Sequence, residues 1–127
     1  MQEFILLIRN SSDHQVDMSP ETHTEFVNKC RDLIGELKQE GKLISAQPMV
    51  RQGAMISRVN GEWEQGAFSE SNEVLAGYYH ILANDLDDAI AIAKRNPEFS
   101  YGNTARIEVR PLKMAEQKTG FVYPSKL

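Results

Sequence analysis

The sequence predicts an α+β domain of ferredoxin-like type with an elaborated central hairpin. Three observations carry that expectation. The chain opens on five large apolar residues in a row, Phe4-Ile5-Leu6-Leu7-Ile8. Two later segments repeat apolar residues at helical spacing and carry helix start and stop signals. Strand-like runs fill the space between and after them, giving the order strand, helix, group of strands, helix, strand.

Residues 4–8 are too few for a membrane span and are apolar on both faces, which suits a central strand covered on both sides. Ser19-Pro20 opens the first helix, with serine at the N-cap and proline at N1, where its missing N–H costs nothing. Glu21 complements the helix dipole. His23, Phe26, Val27, Cys30, Leu33, Ile34 and Leu37 recur on one face, and Gly41 is the expected residue just past the C-cap. The stretch 42–68 then shifts to strand-like periodicity. Pro48 bars it from the middle of a central strand and predicts an edge or a bulge. Asn60-Gly61 is a two-residue hairpin signal that pairs Ala54-Met55-Ile56-Ser57-Arg58-Val59 with the residues from Glu62 onward. Residues 74–83 form another strand, in which Gly77 marks a bulge or a close backbone approach. This alternation sets Ala76, Tyr78, His80 and Leu82 against Gly77, Tyr79 and Ile81. Asp85 caps the second helix, with Asp88 at N3 in a capping-box arrangement; Leu86, Ala89, Ile90 and Ala93 are its apolar face, and Asn96-Pro97 stops it. Ala105, Ile107 and Val109 alternate with Arg106, Glu108 and Arg110 in the last strand. One domain over residues 1–112 and a draped C-terminal tail over 113–127 complete the expected organisation.

Composition narrows the function classes. The chain has 127 residues, 41% hydrophobic and 25% charged, as expected of one globular domain. A net charge of −4 with no basic stripe speaks against nucleic acid as a partner. A single cysteine, Cys30, excludes an internal disulfide, and the three histidines show no metal-ligand spacing, so no metal and no cofactor are expected. Without a long apolar run the expectation is a cytoplasmic protein away from membranes. Two helices cover only one face of a small sheet. The other face, which carries part of the opening run, would leave an apolar patch in water, so a homodimer formed sheet to sheet is expected.

An ordered set of segments resembles the YCII-related family, in the branch named for a DGPF motif. The set comprises the opening strand 4–8, the Ser19-Pro20-Glu21 helix start, the passage from Leu37 to Met49, Gln65-Gly66-Ala67-Phe68 followed by the strand to Ile81, the second helix through Asn96-Pro97, and Ile107-Glu108-Val109-Arg110-Pro111. The resemblance implies a ferredoxin-like fold that dimerises into an α/β barrel. It also implies, in part of the wider group, small-molecule enzymes with a His–Asp pair. This chain departs from that pattern: Gln65 and Ala67 replace the Asp and Pro of the motif, and the His and Asp positions fall at about Cys30 and at Asn96. An asparagine cannot stabilise an imidazolium as a carboxylate does.

The remaining candidates come from chemistry. Glu70 and Glu73 lie in the diverged motif and, if enclosed, can hold raised pKa values and move protons; beside a turn they are equally suited to solvation. His80, on a strand with semi-polar faces, adds an imidazole to that catalytic set. His23, Phe68, Tyr78 and Arg110 are ligand-binding candidates: an imidazole at the mouth of a cleft, two aromatic walls and a guanidinium suited to a carboxylate. Ordinary packing and ion pairing are the competing accounts of the same residues. Two functions stay open: a homodimer with a small-molecule cleft doing cofactor-free acid–base chemistry, or a non-catalytic dimer binding a small organic ligand or a regulatory partner.

Overall fold

Nine elements follow one another in the computed structural model, which describes residues 1–11, 18–67 and 73–125. They are β1 (Gln2–Asn10), α1 (Pro20–Gln39), β2 (Leu43–Pro48), β3 (Ala54–Val59), β4 (Glu62–Ala67), β5 (Val74–Ala83), α2 (Leu86–Ala93), α3 (Glu98–Tyr101) and β6 (Arg106–Pro111). Four strands form an antiparallel sheet in the order β2-β5-β1-β6, and β3-β4 stand apart as a separate hairpin. With that hairpin and the short α3 set aside, the strand–helix–strand–strand–helix–strand order and the strand arrangement are compatible with a ferredoxin-like fold.

The local signals account for most boundaries. Ser19 Oγ accepts the Thr22 N–H at 3.2 Å, Pro20 stands first in α1, and Gly41 leaves the helix at φ +71°. Asn60 and Gly61 both take positive φ, 51° and 81°, as a tight hairpin turn with matching strand twist requires. Asp85 Oδ1 accepts the Asp88 N–H at 2.8 Å, while Asp88 reaches back to the N–H of Asn84, also at 2.8 Å. The short helix α3 has no counterpart in the sequence expectation. It follows from Asn96 Oδ1 accepting the Glu98 N–H at 2.9 Å and from Phe26 packing edge-on against Tyr101 at 5.3 Å.

One hydrophobic core lies between the sheet and the helices. Phe4, Leu6 and Ile8 of β1 meet Tyr79, Ile81 and Ala83 of β5, Leu33 and Leu37 of α1, and Ala89, Ile92 and Ala93 of α2. Ile92 rather than the expected Leu86 completes the buried stripe of α2; Leu86, at the helix start, is exposed.

The pairing of β5 also corrects its expected faces. Ile8 pairs with Gly77 but Arg9 pairs with Leu75, so Ala76 is an extra residue and the alternation slips there. Ala76 therefore joins Tyr79 and Ile81 in the core, while Tyr78 and His80 face the other way. Gly77, next to this bulge, fills the expected role of a close backbone approach, since a Cβ on it would stand 2.7 Å from the Gln47 carbonyl oxygen and 2.9 Å from Pro48 Cα. β2 is an edge strand with an irregularity between Leu43 and Ser45, and Pro48 stands at its end.

The face of the sheet away from the helices has its own make-up. Register places Ile5 beside His80 and Arg110, and Leu7 beside Tyr78 and Glu108. The segment after β6 turns back on itself: Ala115 bridges to Val122, and the Tyr123 N–H donates to the Met114 carbonyl at 2.9 Å.

Candidate functional site

A cavity of about 540 Å³ opens between the N-terminal half of α1 and the sheet. Small residues make it. Where Val27, Cys30 and Ile34 of α1 look down on the sheet, they meet Ala46, Ala76 and Gly77, whose side chains are too short to fill the gap. The bulge at Ala76 and the close approach at Gly77 thus shape the floor. Ile8, Phe26 and Tyr79 supply further wall, and Asn96 and Glu98 close the side formed by the link from α2 to α3. His23 and Arg31 complete the lining from exposed positions on α1. The apolar face of the helix is therefore divided. Leu33 and Leu37 enter the core, whereas His23 and Val27 border the cavity and are exposed.

Away from its exposed rim, the polar groups of this cavity are few. Tyr79 is buried, and that burial raises its phenol pKa well above the usual range, with the nearby Cys30 thiol, once ionised, and Glu98 adding to the effect. Burial, with Glu98 second, pushes the Cys30 thiol up to about 11. Both groups stay protonated near neutral pH and offer neutral hydrogen-bond donors. Glu98 is only 4% exposed. Its Oε2 accepts from Asn10 Nδ2 at 3.2 Å. The bonding capacity of a carboxylate extends to several donors at once.

The expected site residues divide between two places. His23 lies on the cavity. His80, Tyr78, Glu73 and Arg110 gather at the opposite face of the sheet. There His80 Nε2 and Glu3 Oε1 are 2.6 Å apart, and Ser125 Oγ donates to Glu3 Oε2 at 2.5 Å. Glu3 is 3% exposed, so one buried carboxylate ties β1, β5 and the C-terminal segment together. Glu73 is ion-paired with Arg9 at 3.7 Å and with Arg106. Arg110 donates to Glu108 Oε2 at 2.9 Å. Phe68 and Glu70 lie outside the described residues. Among the described residues, no group of three or more His, Cys, Asp or Glu side chains is placed to hold a metal ion, and no helix is long and apolar enough to cross a membrane.

Cys30 and Asn96, the positions at which the resemblance would put a His–Asp pair, both line the cavity. The sequence reading places Cys30 on the apolar face of α1 and singles out neither Glu98 nor Asn10. The Asn96-Pro97-Glu98 turn was the available signal, because an asparagine that caps the next backbone N–H starts a helix there and turns Glu98 inward.

Comparison with protein families gives a match to the YCII-related domain over residues 2–113. No curated protein matches the chain.

Proposed function

The chain belongs to the YCII-related domain family, and from that premise we propose that it is a homodimeric small-molecule-binding protein whose ligand occupies the cavity between α1 and the sheet. The observation that carries this reading is the cavity itself: about 540 Å³, apolar walls, and a small number of convergent polar groups at Tyr79, Cys30, Asn96 and Glu98. The raised pKa values of Cys30 and Tyr79 favour binding over nucleophilic or general-base chemistry there. His23 and Arg31 would meet the ligand at the mouth.

The dimer is proposed through the open sheet face, closing two sheets into an α/β barrel. Its support is the presence of Ile5, Leu7, Tyr78 and Leu82 on the face of the sheet opposite the core, with Leu7 and Tyr78 paired across β1 and β5. The β3-β4 hairpin leaves Met55, Ile56 and Trp63 exposed, Trp63 by 71%, and a second subunit is the natural cover for them. We place the chain in the DGPF-type branch on the strength of Gly66 and Phe68 in the diverged motif. We read residues 1–112 as the domain, 113–127 as its tail, and the protein as cytoplasmic.

A second reading is favoured by the 2.6 Å contact between His80 and the buried Glu3. Cofactor-free acid–base chemistry would then run on the open face, with His80 oriented by Glu3, with Glu70 and Glu73 as further acids, and with Tyr78, Phe68 and Arg110 lining a cleft that the partner closes.

One titration separates the two. Indole and 2-naphthol, as neutral probes, are added to ¹⁵N-labelled protein. The binding reading expects shifts at Cys30, Ala76, Gly77 and Tyr79, abolished in Val27→Trp, which fills the cavity from α1. Shifts confined to Tyr78, His80 and Leu82 would move the site to the open face, and no shift in either place would overturn the cavity as a ligand site.

A further inference from the structure

We propose that the cavity takes an uncharged carbonyl compound, a ketone, ester or lactone with an apolar body, whose oxygen accepts hydrogen bonds from Asn96 and Tyr79; this rests on the cavity being the ligand site. Two side chains on the lining point to an acceptor. Asn96 is 4% exposed, and its Oδ1 is already taken by the Glu98 N–H at 2.9 Å. What the amide has left is Nδ2, which carries two N–H donors and meets no acceptor among the described residues. Tyr79 is 6% exposed, and its hydroxyl likewise has no hydrogen-bond partner among the described residues. Neither group is sealed inside the protein, as the Asn10 Oδ1 is; both belong to residues on the cavity lining. Buried polar groups are nearly always hydrogen-bonded, so two unmatched donors on one cavity mark a place where an acceptor belongs.

A carbonyl oxygen fits this setting. It has two lone pairs and no hydrogen to donate, so it can take an N–H and an O–H together. The Cys30 thiol, also on the lining and kept protonated with its pKa pushed up to about 11, adds a weaker donor. An alcohol brings a donor of its own, for which Asn96 Nδ2 offers no acceptor. A carboxylate is opposed by charge: Glu98 contributes to raising both Cys30 and Tyr79, so the inner lining already penalises a further anion. The basic groups that would favour one, His23 and Arg31, belong to exposed residues of α1, where water and salt screen them. Phe26, Val27 and Ile34 offer the apolar wall for the hydrocarbon body.

Three probes of nearly equal outline test the assignment on the whole chain at pH 7, by calorimetry and NMR: acetophenone, α-methylstyrene, which has a methylene in place of the oxygen, and benzoate. Acetophenone is expected to bind about tenfold tighter than benzoate. In Tyr79→Phe it should weaken about fivefold, as the loss of one neutral hydrogen bond implies, while α-methylstyrene binds as before. Asn96→Asp keeps an oxygen for the Glu98 N–H but removes the side-chain donor, and should weaken acetophenone at least as much. Unchanged acetophenone binding in either variant, an equal loss for α-methylstyrene in Tyr79→Phe, or benzoate binding at or above acetophenone would overturn the carbonyl assignment. If indole still binds in the cavity in those cases, the ligand site itself stands. If no probe binds, indole included, both conclusions fall. Should the variants fail to fold, the ¹³C resonance of carbonyl-labelled acetophenone bound to the unmodified protein decides. A hydrogen-bonded carbonyl carbon lies downfield of its position in cyclohexane, as expected here, and a bound resonance at the cyclohexane position would overturn the assignment.

Discussion

Gly77→Ala is the sharpest single test of how the sheet is built around the cavity. The added methyl would stand 2.7 Å from the Gln47 carbonyl oxygen and 2.9 Å from Pro48 Cα. Both are backbone atoms, so no side chain can swing aside, and β2 must move away from β5. Overpacking of this kind costs about 1–3 kcal/mol. The displacement also strains the Met49 N–H bond to the Ala76 carbonyl, now 2.9 Å, worth about 1 kcal/mol more. The sum is about 2–4 kcal/mol. With an unfolding entropy of about 2.1 cal/mol/K per residue, a chain of this length loses about 4 °C of Tm per kcal/mol, so Tm should fall by about 8–15 °C. Scanning calorimetry measures it, and Gly35→Ala is the control. Gly35 sits inside α1 with nothing within 4 Å of where its Cβ would go, so alanine there should raise stability by about 0.5–1 kcal/mol through helix propensity. A Gly77→Ala protein that melts within about 2 °C of the parent would refute the close approach, and with it the account of the cavity floor.

Cys30, with its thiol pushed up to about 11 from 9.0, should react with iodoacetamide at pH 8 about a hundredfold more slowly than an exposed cysteine, and the rate should climb with pH beyond 9; an ordinary rate would contradict its burial on the cavity wall. Asp88, held low by the Asn84 N–H and then by Lys42, and Glu108, held low chiefly by Arg110, both have depressed pKa values. Groups of this kind stabilise the fold above their unfolded values and lose that contribution as pH falls, so the urea midpoint should hold from pH 7 to about 5 and decline below it; a midpoint that rises on acidification would contradict these contacts. Leu7→Glu places a charge at the centre of the proposed sheet-to-sheet interface and should shift a dimeric sedimentation profile to monomer at micromolar concentration, whereas a parent protein already monomeric there would sink the dimer proposal. Ser125→Ala removes the donor to Glu3 and should speed amide exchange in 113–125 while leaving β1 and β5 protected; unchanged exchange would show that Ser125 does not tether the segment.

Which features could be read from the sequence depends on how far apart the interacting atoms lie along the chain. Ser19-Pro20, Gly41, Asn60-Gly61 and Asp85 act within four residues, through caps and turns whose geometry the residue type sets, and their structures follow the expectation. The irregular pairing at Ala76 reverses the assignment of that residue, because a bulge appears only when β5 meets β1. Phe68 and Glu70, expected on the diverged motif, lie outside the described residues, and the others of that set are distributed by the sheet: His23 to the cavity, His80, Tyr78, Glu73 and Arg110 to the opposite side.

The sequence by itself determined the order of the elements other than α3, the helix ends, the tight hairpin and the exclusion of Pro48 from the middle of a central strand, since each is a local property of residue size, backbone freedom or apolar period. Only the tertiary structure decided that Ala46, Ala76 and Gly77 lie together beneath α1 and leave a cavity, that Glu98 and Asn10, 88 positions apart, share a hydrogen bond beside it, and that Glu3 meets both His80 and Ser125. A void is a property of what several distant side chains fail to fill, and a buried polar pair exists only once both chains of backbone are fixed, so neither leaves a periodic trace along the sequence.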